Sequence, residues 1–352
     1  MTDRVEAGMG NLTSRLLEVR DNPEAVNQLF LDKGWSDGLP IVPPTPERVE
    51  RMLAAIDMDP QRVLMRIPPS WGDATTEKLA INAVMAGCLP EYLPVIVAAL
   101  EAMADPSFNL YAIQATTHSC APLIVVNGPI RAKLGLNSTA GAFGPGWRAN
   151  ATIGRAMRLV LFNVGGGYPG IGDMSTQGAP SKYSYCIAEN EEDNPWEPLH
   201  VEKGFSPEQS TVTVFACEPP HNINDHSGRS AGDILTIIAG AMAVTGANNA
   251  YTGGETLLAL GPEHASTMAK DGFKKRDVRD WLHVKARVPL ERYTRDTLLE
   301  RFQQIPDGPV PMVRSPEDLA IIVLGGAGKH SSWLPTFGGT THSATRRIQE
   351  RR

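Results

Sequence analysis

The chain has 352 residues, with 33 Lys and Arg against 39 Asp and Glu, for a net charge of −6. That balance excludes a dedicated nucleic-acid binder, which carries a basic stripe. A content of 42% hydrophobic and 20% charged residues excludes a disordered chain.

Residues 1–70 read as an arm before the main body. Residues 12–19 and 23–33 have helical spacing. Gly34 to Pro46 then holds two glycines and four prolines, too many for a helix interior or a central strand. Its extended apolar tip predicts a homo-oligomer, because such a tip seeks a partner surface. Thr45 and Pro46 open a helix running to about Ile56.

Residues 75–104 predict two helices broken at Leu89-Pro90. The second, Tyr92 to Met103, is apolar all round and therefore buried. Residues 110–120 (LYAIQATTHSC) alternate like a strand, and Pro122 to Asn127 is a continuous apolar run of the buried-strand type. A helix covers Asn150 to Asn163, with a glycine-rich loop after it. A GxGxxG at Gly165, Gly167 and Gly170 lacks the preceding strand that a dinucleotide fold needs. Glu189 to Asp193 reads as a solvated acidic face. Strands at 211–216, 256–260 and 320–324 alternate with helices at 230–245, 275–284 and 298–304.

This order predicts an α/β fold of short, mostly parallel strands flanked by helices. A helix, a strand and a Gly-Pro pair occur at 92–129 and again at 233–262, which predicts two pseudo-equivalent halves, residues 71–210 and 211–352. The longest stretches without charge are broken by proline or rich in glycine, so no membrane partner is expected. The N-terminus shows no signal-peptide pattern, and the expected location is cytoplasmic.

Cys88, Cys120, Cys186 and Cys217 form no CxxC pair and match no zinc spacing, so they read as free thiols. Cys120 has polar company in Thr116, Thr117, His118 and Ser119. A thiol becomes a nucleophile only as the thiolate, and a histidine two residues away can take its proton. The second cluster, Cys217 to His226, carries Glu218, His221, Asn222, Asp225 and His226 on a proline-stiffened loop. The third, Gly325 to Ser332, presents Lys329, His330 and Ser331 after a glycine-rich strand exit. It departs from GxxxxGK[ST] at two positions, which points to a small anion and away from ATP. Arg148, before a helix, is a further anion contact.

Four blocks together resemble the bacterial UGSC-like family: Gly38 to Thr45, Asn82 to Tyr92, Thr116 to Cys120 and Gly325 to Ser331. The family takes its name from a selenocysteine-Gly-Ser-Cys motif found in some members. Laid over it, His118-Ser119-Cys120 falls on Gly-Ser-Cys with His118 in place of Gly, and Thr117 stands at the selenocysteine position, so only the second chalcogen is kept. The resemblance implies a reactive segment at Cys120; it implies no substrate.

The expectation is an enzyme acting on a small polar or anionic molecule. Cys120 is its nucleophile or redox thiol, and His118 or His221 the base. His226, Asp225 and Asn222 orient the histidine or the substrate. Thr116, Thr117, Ser119, Arg148, Lys329, His330 and Ser331 bind substrate. No cofactor is predicted, and an electron-donor or partner subunit fits a redox thiol. One alternative is a divalent-metal hydrolase or lyase ligated by His221 and His226 with His118 or Glu218. Another is a non-catalytic subunit of an oligomeric complex.

Overall fold

The computed structural model describes residues 12–351. β1 (Val63–Ile67) and β2 (Gly72–Thr75) form a hairpin. β3 (Ala121–Asn127), β4 (Cys186–Ala188), β5 (Thr211–Cys217), β6 (His221–Asn224) and β7 (Thr256–Leu260) follow. After a small pairing of β8 (Arg287–Val288) with β9 (Val310–Pro311) come β10 (Leu319–Val323), β11 (His330–Leu334) and β12 (Ala344–Arg347). The two main sheets run β12-β5-β3-β4 and β10-β7-β11-β6, and with the helices they make a mixed α/β fold.

The strands are not mostly parallel. In the two main sheets of the described residues, β3 with β4 and β10 with β7 are parallel, while β11 with β6 and β7, and β5 with β3 and β12, are antiparallel. The misreading has a physical cause. Side chains alternate across a sheet, so Leu123 and Val125 of β3 join Phe215 of β5 and Leu257 and Ala259 of β7 in one buried cluster. Ile124 and Val126 face the opposite way, into the core of the helix Leu93–Met103, and Leu258 and Leu260 of β7 enter that of the helix Ala231–Met242. Strands covered on both faces read as continuous apolar runs whatever their direction. Among the described residues, no single helix is long and apolar enough to cross a membrane.

The sheets exchange strands. β5 leads directly into β6, which pairs with β11 of the other sheet, and the chain after β11 returns as β12 to pair with β5. β5, the first element after residue 210, therefore belongs to the sheet of β3 and β4. Where the two exiting segments pass, Cys217 pairs with Thr336. Glu218 donates its N–H to the Pro335 carbonyl at 2.8 Å, and Phe337 donates to that of Ala216 at 2.9 Å.

Three local expectations fail for identifiable reasons. Residues 12–19 form no helix: the amides of Thr13 and Ser14 donate to the buried carboxylate of Glu77, the latter at 2.8 Å, instead of to a helix. Residues 110–120 are no strand, since Leu110–Ala115 is a helix burying Leu110, Ile113 and Gln114 at helical spacing. The acidic stretch is solvated only at Glu192 and Asp193. Glu189 is fully buried and accepts from Asn127 Nδ2 at 2.7 Å and Leu199 N at 2.8 Å, while Asn190 N ties to the Val323 carbonyl and so joins the sheets.

The tip of the arm packs on its own chain. Arg155 clamps the Asp37 carboxylate with bonds of 2.7 and 2.8 Å, and Asn163 Nδ2 donates to the Trp35 carbonyl. These contacts fix the backbone of the tip, while the apolar side chains of Trp35, Leu39 and Val42 on it stay exposed.

Candidate functional site

The segment Thr116–Cys120 leaves the helix Leu110–Ala115 and enters β3. The hydroxyl of Thr116 accepts from His118 N at 3.0 Å, a local turn that swings the imidazole across the strand ends. Ala121 pairs with Cys217, so the antiparallel register sets Glu218 beside the incoming segment. There His118 Nε2 lies 2.7 Å from Glu218 Oε1, both side chains mostly buried at 16% and 22% exposure. His118 Nδ1 faces Asn248 Nδ2 at 3.5 Å, and that amide also donates to the Phe337 carbonyl at 3.0 Å. The Phe337 ring sits 6.0 Å from the imidazole, and Tyr185 Oη donates to the Glu218 carbonyl at 2.8 Å.

These partners fix the tautomer. A carboxylate only accepts, so Nε2 carries the hydrogen. The amide nitrogen of Asn248 only donates, so Nδ1 keeps its lone pair. His118 is therefore arranged as a base at Nδ1, with a carboxylate behind it to stabilise the imidazolium that proton uptake creates.

The thiols are protonated at rest. Cys120 is 1% exposed. Burial pushes it up to about 12, the charge of Lys182 pulling down and that of Glu218 pushing further up. Burial also raises Cys217 and Tyr185 well above their ordinary values. Among the described residues no imidazole nitrogen is hydrogen-bonded to Cys120; those of His118 face Glu218 and Asn248.

A buried ion cluster holds the covering loop. Asp173 accepts from Lys182 Nζ at 2.7 Å and Arg158 Nη2 at 3.0 Å. Burial raises its carboxyl, but Lys182, the Ser175 amide and Arg158 outweigh that and leave it below the usual range. From this loop Thr176 N donates to the Thr117 carbonyl at 3.0 Å, bracing the reactive segment.

The other expected site residues do not join His118 and Cys120. Asn222, Asp225, His226, Lys329, His330 and Ser331 gather where β6 ends and β11 begins. β11 runs from His330 to Leu334, and Pro335 meets Glu218 just beyond it. Five residues of strand put the two groups about 16 Å apart. Ser331 is buried there, accepting from Gly261 N at 3.0 Å and lying 2.8 Å from His264 Nδ1. Lys329 Nζ donates to the Gly228 carbonyl at 3.2 Å. His221 opens β6 opposite Trp333, exposed. Arg148 donates twice to the Gly87 carbonyl, at 2.9 and 3.0 Å, closing a helix end instead of holding an anion. Thr117 is exposed and Ser119 half-buried beside His118.

The proposed metal set is likewise unassembled: His118 and Glu218 bind each other, while His226 belongs to the other end of β11. No group of three or more His, Cys, Asp or Glu converges on a common point among the described residues. Sequence reasoning missed Asn248, Phe337, Tyr185 and the Asp173 cluster. Only the adjacent Asn248 and Asn249 in a run of small residues hinted at a polar site. The chain matches no protein-family model and no curated protein.

Proposed function

We propose that the protein is an enzyme acting on a small polar or anionic molecule, with His118 as acid–base group and Cys120 as the thiol beside it. The observation that carries this is the 2.7 Å contact of His118 Nε2 with Glu218, which leaves the lone pair on Nδ1, where the Asn248 amide approaches at 3.5 Å. A buried carboxylate–histidine pair at strand ends, next to a thiol, is an arrangement for proton transfer. Because Cys120 rests as the neutral thiol, its activation belongs to the substrate-bound state, with the proton passing to a base such as His118 Nδ1. The resemblance to the UGSC-like family points to the same segment. Lys182, whose charge acts on Cys120, is already paired with Asp173, so a polar substrate suits the site as well as an anion.

Within this reading the two sheets are pseudo-equivalent halves. The support is their shared connectivity: β3 and β7 each precede a Gly-Pro pair and take one parallel and one antiparallel neighbour. The His118 site then lies where the exchanged segments cross.

The test is a turnover screen with small acids, esters, amides and thioesters, run in parallel on wild type, His118→Asn and Cys120→Ser. A positioned acid–base group contributes about 10²- to 10⁴-fold, so each variant should lose at least about a hundredfold on any true substrate. Turnover unchanged in both variants rejects the reading.

A further inference from the structure

A second pair of imidazoles stands apart from the His118 site. His226 Nε2 and His330 Nε2 lie 3.2 Å apart, with rings at 77°. His330 Nδ1 is 2.9 Å from Asn222 Oδ1. An amide oxygen only accepts, so Nδ1 carries the hydrogen and Nε2 of His330 aims a lone pair at His226.

Each imidazole is held by its own element. His330 opens β11, in register with Asn224 of β6. His226 occupies the turn after β6, where Asp225 Oδ1 accepts from Ser227 N at 3.1 Å and Gly228 N at 2.8 Å. Buried His264 holds the Asp225 carbonyl at 3.1 Å from below. Two nitrogens bound tetrahedrally at 2.0–2.1 Å are about 3.3–3.4 Å apart. The pair therefore already has the bite of two ligands on one ion. Both side chains are exposed, which leaves the remaining positions to water.

We propose that His226 and His330 chelate a divalent transition-metal ion of the Zn²⁺ class, with Asn222 orienting His330. Imidazole donors favour such ions over Mg²⁺ or Ca²⁺. In the metal-free protein His226 donates its Nε2 hydrogen to His330; on binding, that hydrogen moves to Nδ1 and both Nε2 lone pairs face the ion.

The experiment is calorimetric titration of ZnCl₂ into untagged, chelator-treated, full-length protein. Wild type, His226→Ala, His330→Ala, Asn222→Ala and His342→Ala are compared, each checked by circular dichroism. The site expects one equivalent bound by wild type and by His342→Ala, whose imidazole is exposed elsewhere. Either ligand variant should weaken binding more than tenfold, and Asn222→Ala about tenfold. Should His330→Ala unfold the strand, His226→Ala in its exposed turn decides alone. No binding by wild type, or equal binding by His226→Ala, overturns the proposal.

Discussion

Although 100 residues separate them in sequence, His118 donates from Nε2 to Glu218 at 2.7 Å, and this one contact sets which imidazole nitrogen can act as a base. It exists because β3 and β5 are antiparallel neighbours with Ala121 opposite Cys217. Glu218→Leu removes the acceptor, so the ring loses its tautomeric preference. Nitrogen-15 chemical shifts of His118 should show a bare Nδ1 in wild type and a mixture in the variant. Turnover should fall about a hundredfold. An unchanged tautomer in Glu218→Leu means the carboxylate does not orient the ring.

Cys120 gives a second expectation. With the thiol pushed up to about 12 by burial, the thiolate fraction at neutral pH is on the order of 10⁻⁵, against a few per cent for an unperturbed thiol. Iodoacetamide should therefore label Cys120 at least about 10³-fold more slowly in the native protein than in urea. Peptide mass spectrometry reads this for all four cysteines, each of them buried. Rapid native labelling of Cys120 at pH 7 is incompatible with a protonated, covered thiol.

Asp173 is the third test. Its carboxylate is almost fully buried between Lys182 and Arg158, themselves mostly covered. Asp173→Asn leaves two cations without their counter-charge and should cost about 3–5 kcal/mol in urea unfolding. Its folded-state pKa is lowered, so the stabilisation is present above the unfolded value near 3.8 and is lost as pH falls through the folded value. Wild type should thus lose stability below about pH 3.8 more steeply than the variant. The loosened loop should also speed Cys120 labelling, since Thr176 no longer braces Thr117.

The runs of β3, β5, β7 and β10 are legible in the sequence because burial on both faces leaves mainly apolar side chains there, with Asn127, Thr211, Thr213 and Thr256 as buried exceptions. Their directions are not, because strand polarity is set by partners more than sixty residues away. The segment Thr116–Cys120 stands out by composition, but its true partner, Glu218, was visible only as a potential metal ligand. Cys217 to His226 looks like one cluster along the chain; the register of β6 on β11 splits it, sending Glu218 to one end and His226 to the other. Asp173, Lys182 and Arg158 carried no signal, since nothing local tells a buried ion cluster from three surface charges.

His264 shows how the far end of β11 should respond to pH. A hydrogen-bond chain runs from Gly261 N to Ser331 Oγ, from that hydroxyl to His264 Nδ1, and from His264 Nε2 to the Asp225 carbonyl. The chain is complete only with a neutral ring, because a protonated Nδ1 cannot accept from Ser331. Burial lowers the pKa of His264, outweighing the opposing pull of the Asp225 carbonyl and carboxylate. The folded protein therefore binds fewer protons than the unfolded chain just below the ordinary value of about 6.5. Stability from this group is fully present above pH 6.5 and is lost as pH falls from there toward the folded pKa, by up to about 1.4 kcal/mol per pH unit. His264→Gln keeps a polar side chain but cannot titrate. Urea midpoints measured from pH 8 to 5 should fall less steeply for the variant, and subtraction cancels other histidines such as buried His200, which is also lowered by burial. Equal slopes would mean that His264 protonates alike in both states, and then the neutral chain through Ser331 does not pin the turn that carries His226.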